Sequence, residues 1–146
     1  MAETGEIKAF IKNAKEQLID AEVSFRGKRY HLSFLCSALS AENATSALII
    51  VLGRRTSKKH INWMILGSIA ADVNEKIKAT VQEISIKLHE IEPHIPKLLR
   101  YPFRFRERWL TPPEYYTSEM AEEALQKAKH ILKLTQECLK KLKITI

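Results

Sequence analysis

The sequence predicts an all-α protein: four long helices in an antiparallel up-and-down bundle, one domain over residues 1–146 with one long irregular connection. Three observations carry that reading. Apolar residues recur every three or four positions through long segments, the period of an amphipathic helix. Only four glycines occur (Gly5, Gly27, Gly53 and Gly67), too few for the many turns of an all-β domain. All five prolines fall between Pro93 and Pro113, so the helix breakers are confined to one region. With 146 residues, 45% of them hydrophobic, the chain is large enough to bury a core.

The first helix places Ile7, Ile11, Ala14, Leu18, Ala21 and Phe25 on one face and leaves Lys8, Lys12, Lys15 and Glu16 for water. Gly27 ends it, and Lys28 and Arg29 form a basic connection. The second helix runs from about Tyr30 to Leu52, with Gly53 where a C-terminal cap belongs. Leu32, Phe34, Leu35, Leu39, Ala41, Ala44, Leu48 and Ile49 cover more than one face, which marks a central helix with several neighbours. Ser57 is placed to cap a third helix. Its seam runs unbroken through Leu66, Ile69, Val73, Ile77, Val81, Ile84, Leu88 and Ile91, until Pro93 and Pro96 stop it. Residues 97–117 form the irregular connection. Thr117 caps the last helix, whose stripe is Ala121, Ala124, Leu125, Ala128, Ile131, Leu132, Leu139 and Leu142.

The formal net charge is +7, which favours polyanionic partners. The excess is uneven: residues 1–24 carry five acids against three lysines, whereas residues 25–60 carry seven basic residues and one acid, Glu42. Cys36 and Cys138 lie far apart in apolar stripes and read as buried free thiols. The N-terminus has no basic start followed by an apolar stretch, and the longest apolar run, Ala47–Leu52, is short for a membrane span. A cytoplasmic protein is the expectation.

Within the second helix, Ser40-Ala41-Glu42-Asn43-Ala44-Thr45-Ser46-Ala47-Leu48-Ile49 resembles the core helix of HEPN (higher eukaryotes and prokaryotes nucleotide-binding) domains. Further matches follow in that family's order: Arg54 to His60 after the helix, Arg100-Tyr101-Pro102, Pro113 to Thr117, and the start of the last helix at Ala121–Leu125. The set spans about Lys15 to Leu132 and is similar to small stand-alone members of archaea and bacteria. One departure is Ser46, where the family often carries a lysine. The resemblance implies a four-helix bundle with a short extra helix, commonly a homodimer. It also implies nucleotide or RNA binding, often beside a minimal nucleotidyltransferase in a toxin–antitoxin-like system.

Ribonucleases of the HEPN family carry an arginine followed by four to six residues and a histidine. Arg55 and Arg54 precede His60 with four and five residues between, respectively. A histidine can take the 2′-hydroxyl proton or deliver one to the leaving oxygen, and an arginine can hold the phosphate. The plainer reading of the same stretch is a solvated basic loop whose His60 helps start the next helix. Residues 100–116 are the second candidate, because arginines fix phosphates while exposed rings stack on unpaired bases. The competing reading there has Tyr101, Phe103, Phe105 and Trp109 plugging the end of the bundle. Glu42 and Asn43, polar groups in the most apolar helix, call for hydrogen-bond partners inside the bundle. His89 and His94 are spaced wrongly for a zinc helix, and Pro93 interrupts it.

The leading functional expectation is a dimeric nucleotide- or RNA-binding protein using Arg54, Arg55, Lys58, Lys59, Arg100, Tyr101 and Arg104, with no metal or cofactor. The first alternative is a metal-independent endoribonuclease using Arg54 or Arg55 with His60. The second is a helical interaction module without nucleic acid. Phe34, Ile50, Trp63 and Met64 offer apolar surface beyond the needs of one bundle and point to a homodimer. An unbroken third helix would hold the two basic stretches roughly 40 Å apart.

Overall fold

The second segment forms the helix on which the rest is assembled. The computed structural model describes residues 4–97 and 99–145; Met1–Glu3, Leu98 and Ile146 lie outside the described residues. The helices are α1 (Thr4–Arg26), α2 (Tyr30–Val51), α3 (Asn62–Ile69), α4 (Lys78–His89), α5 (Pro112–Tyr115) and α6 (Ser118–Lys141). Strands β1 (Phe103–Phe105) and β2 (Arg108–Leu110) form a hairpin between α4 and α5. The fold is all-α apart from that hairpin.

Small residues on α2, among them Ser33, Ser37, Ala38, Ser40, Ala41 and Ala44, are buried and let neighbouring backbones come close. Ser33 Oγ donates to the Ala21 carbonyl at 2.8 Å, and Ser40 Oγ to the Ala14 carbonyl at 2.6 Å. Rising positions on α2 meet falling positions on α1, so the pair is antiparallel. By length and composition α2 could cross a membrane. In this fold it is the core helix, packed against both α1 and α6. The core combines Leu48 and Ile49 of α2 with Leu66, Val81, Ile84, Leu88, Ile131 and Cys138. A smaller cluster joins Ile7 and Ile11 of α1 to Leu132 and Leu139 of α6.

The unbroken third helix is corrected. Helix α3 ends at Ile69, a turn of 3₁₀ helix covers Ala70–Asp72, and Val73 is extended before α4 begins at Lys78. Asn74 supplies the reason: its Oδ1 accepts the Lys76 N–H at 2.9 Å, a local turn that competes with the helical ladder. Helix α4 then returns along α3. Ser85 Oγ donates to the Trp63 carbonyl at 2.7 Å, and a Cβ at Gly67 would lie 3.0 Å from that same Oγ. Absence of a side chain at Gly67 is what permits this approach.

Further expectations change with it. Ser57 does not cap α3, whose N-cap is Ile61; its Oγ accepts the Lys59 N–H at 3.0 Å instead. Thr117 does cap α6, accepting the Met120 N–H at 3.2 Å. Cys36 is half-buried, and Cys138 is buried. The stretch expected to be irregular contains the hairpin and α5. The Arg106–Glu107 turn has positive φ at both residues, 48° and 66°, the geometry whose twist suits a two-residue hairpin. Phe34 is not spare surface: it is buried, with its ring 4.7 Å from His94 and 4.9 Å from Tyr116. Ile50 and Trp63 are half-buried against the core, which leaves Met64 as the exposed one of the four.

Candidate functional site

The site begins at the end of α2. Gly53, at φ 77°, closes that helix in a Schellman cap: its N–H bonds the Ile50 carbonyl and the Arg54 N–H bonds the Ile49 carbonyl, both at 3.0 Å. The chain then turns back along α2 instead of continuing outward. Asn62, fully buried, secures the return. Its Nδ2 lies 3.0 Å from the Glu42 carbonyl, 3.1 Å from Thr45 Oγ1 and 3.0 Å from Ser46 Oγ. Ser46 therefore receives the loop, a role its small size allows.

This return sets His60 against the middle of α2. His60 Nδ1 lies 2.9 Å from Glu42 Oε2, and the two side chains are only 17% and 16% exposed. An ionised carboxylate is acceptor-only, so Nδ1 carries the hydrogen and Nε2 is left outside that contact. His60 holds a left-handed backbone, φ 60°, which costs a non-glycine residue about 1 kcal/mol. It is not the solvated loop histidine of the plainer reading.

Behind Glu42 stands a second carboxyl, Glu92. It is 0% exposed, and its Oε1 accepts the Trp63 N–H at 2.9 Å in the first turn of α3. Burial pushes Glu42 above the ordinary carboxyl range, with its hydrogen bond to Glu92 acting the other way. Burial, then the hydrogen bond with Glu42, pushes Glu92 up to about 8. Sequence reading missed Glu92, although a signal was present: it sits four residues after Leu88 and three before Ile95, on the apolar stripe.

Arg54, Arg55, Lys58 and Lys59 are exposed along the loop that carries His60. Arg100, Tyr101 and Arg104 are exposed as well, beside and on the hairpin. Among the described residues no ion pair or hydrogen bond joins the two stretches. The expected separation of roughly 40 Å rested on an unbroken third helix, and that premise falls with the break between α3 and α4. The rings divide in two groups: Phe103 and Phe105 pack edge-on against Tyr115 at 5.1 and 5.3 Å, whereas Tyr101 and Trp109 are 65% and 67% exposed.

The model of the HEPN domain matches residues 7–139, which takes in α1 through most of α6 and the whole His60 site. The chain belongs to the HEPN family. This HEPN chain is 30% identical over 140 residues to a Methanocaldococcus jannaschii protein named Putative toxin MJ1304, covering 91% of this chain and 88% of that one. In this HEPN protein, the residues matching the core-helix motif include Glu42, and the basic stretch after the helix ends in its partner His60.

Proposed function

We propose that this HEPN protein is a toxin-like endoribonuclease that draws single-stranded RNA onto the Arg54–Lys59 loop and cleaves it with His60. The observation that carries the reading is the 2.9 Å contact of His60 Nδ1 with Glu42 Oε2. A carboxylate that orients an imidazole and fixes its tautomer is the usual support of a histidine acid or base. In the reaction the 2′-oxygen attacks the neighbouring phosphorus while its proton passes to His60 Nε2. The bond from phosphorus to the 5′-oxygen breaks, leaving a 2′,3′-cyclic phosphate, and the departing oxygen takes a proton from solvent water. Arg54 and Arg55 would hold the phosphate charge. The relative named as a toxin agrees with a role that damages RNA.

One observation favours binding without cleavage, the reading that ranks first from sequence. Arg54 and Arg55 are exposed, and neither side chain is tied to Glu42 or His60 among the described residues. The test is labelled single-stranded RNA incubated with the purified chain and a chelator. Cleavage that disappears in His60→Ala supports the nuclease. A salt-sensitive shift without cleavage supports the binder, and neither result supports an interaction module. The same reading includes a second copy of the chain and a nucleotidyltransferase partner. Light scattering showing a 16.8 kDa particle would remove the dimer, and co-purification with the product of a neighbouring reading frame would identify the partner.

A further inference from the structure

Glu92 sits where one of its two oxygens is provided for and the other is not. Oε1 accepts the Trp63 N–H at 2.9 Å. Oε2 is buried and meets no hydrogen-bond donor among the described residues. The neighbouring titratable group is another acid, Glu42: Asn62 Nδ2 donates to the Glu42 carbonyl while the next residue, Trp63, donates its N–H to Glu92, so consecutive residues tie the two acids to one place. Two carboxylates in contact and out of water cannot both stay ionised; one proton held between them replaces repulsion with an O–H···O⁻ bond.

Which oxygen keeps the proton follows from what else each acid touches. Glu42 Oε2 already has His60 Nδ1 at 2.9 Å, and its side chain is 16% exposed. Glu92 is 0% exposed and its Oε2 has no other partner. Ionised Glu92 would leave a buried charge unsatisfied on one side, whereas ionised Glu42 keeps the imidazole N–H as well as some water. The proton therefore belongs on Glu92 Oε2.

We propose that Glu92 is a positioning residue: as a protonated acid it donates to Glu42, which stays the anion that accepts His60 Nδ1–H and so leaves His60 Nε2 to exchange protons. The use of Nε2 on RNA rests on the nuclease reading above; the hydrogen-bond chain from Glu92 through Glu42 to His60 stands without it. A residue that only capped α3 would need Oε1 alone and would be indifferent to what faces Oε2.

Infrared spectra of the full wild-type chain at neutral pH test the first link. A protonated-carboxyl C=O band that is lost in Glu92→Gln is expected; absence of that band in the wild type overturns the proposal. Nitrogen-15 NMR of His60 tests the second. The wild type should show the Nδ1–H form. Glu92→Gln should keep it, because the amide can both accept from Trp63 and donate to Glu42, and should keep any RNA cleavage within about twofold. Glu92→Met cannot donate and should lose the Nδ1–H signature, with cleavage falling about tenfold or more. Loss of the signature in a folded Gln variant, or its full retention in a folded Met variant, overturns the proposal. Should Glu92→Met fail to fold, the infrared band and the Gln variant decide. A wild type with band and tautomer as expected but no cleavage would sink the nuclease reading and leave the positioning role in place.

Discussion

The Trp63 N–H donates to Glu92 Oε1 at 2.9 Å across 29 residues of sequence. That bond exists because α3 and α4 double back on each other. A straight third helix would have carried Glu92 a long way from Trp63 and left Glu42 facing nothing acidic. The helix break is thus what assembles the carboxyl pair behind His60.

Gly67→Ala tests the doubled-back arrangement. Alanine is the better helix former, by about 1 kcal/mol in an exposed helix. Here the new Cβ would stand 3.0 Å from Ser85 Oγ, which is held by the Trp63 carbonyl. The expected result is net destabilisation of about 1–2 kcal/mol in urea unfolding. Ser85→Ala in the same chain should recover part of the loss, a coupling that a double-mutant cycle reads directly. Stabilisation by Gly67→Ala alone would contradict the close packing.

Stability should fall with rising pH on account of Glu92. Its folded value is raised to about 8, against an ordinary carboxyl near 4.5 in the unfolded chain. The stabilisation is complete below the unfolded value and is lost as pH rises through the folded one, because between them only the native state holds the proton. His94, lowered by burial, contributes with the opposite sign as pH falls below its ordinary value of 6.5. Comparison with Glu92→Gln isolates the acid: the wild type should lose stability relative to the variant from about pH 5 to about pH 8. Parallel thermal-unfolding profiles would show that Glu92 does not bind that proton.

Glu42→Gln should separate chemistry from binding. The amide keeps the size of the side chain and removes the charge that orients His60. Cleavage should drop about 100-fold while affinity for RNA at fixed salt stays within about twofold. A loss confined to affinity would place Glu42 in RNA binding instead.

The hairpin offers a separate readout. Trp109 is 67% exposed and pairs across the strands with Arg104, so ring and guanidinium share one face. Single-stranded RNA should quench Trp109 fluorescence, and Trp109→Ala should weaken binding by about 1–3 kcal/mol. Charge reversal at Arg104 should weaken it further and reduce its salt dependence. Equal affinity for duplex and single strands, without quenching, would reduce the hairpin to a general basic surface.

Local chemistry was enough to read much of this protein. The stripes of α1, α2 and α6, the Gly53 cap and the Thr117 cap each depend on residues a few positions apart. The ordered motifs that point to the HEPN family were legible for the same reason. Other features were decided only in three dimensions. Leu66, Ile69, Ile77, Val81 and Leu88 keep helical spacing through the break, because both arms of the α3–α4 hairpin bury the same seam; periodicity cannot distinguish that from one long helix. Phe34 looked surplus until His94 and Tyr116 came from distant segments to cover it. Glu42 and Glu92 are fifty residues apart, and no local rule brings two acids together, since in isolation they repel. Only a core that excludes water and supplies one shared proton makes that contact stable, and only the tertiary fold builds such a core.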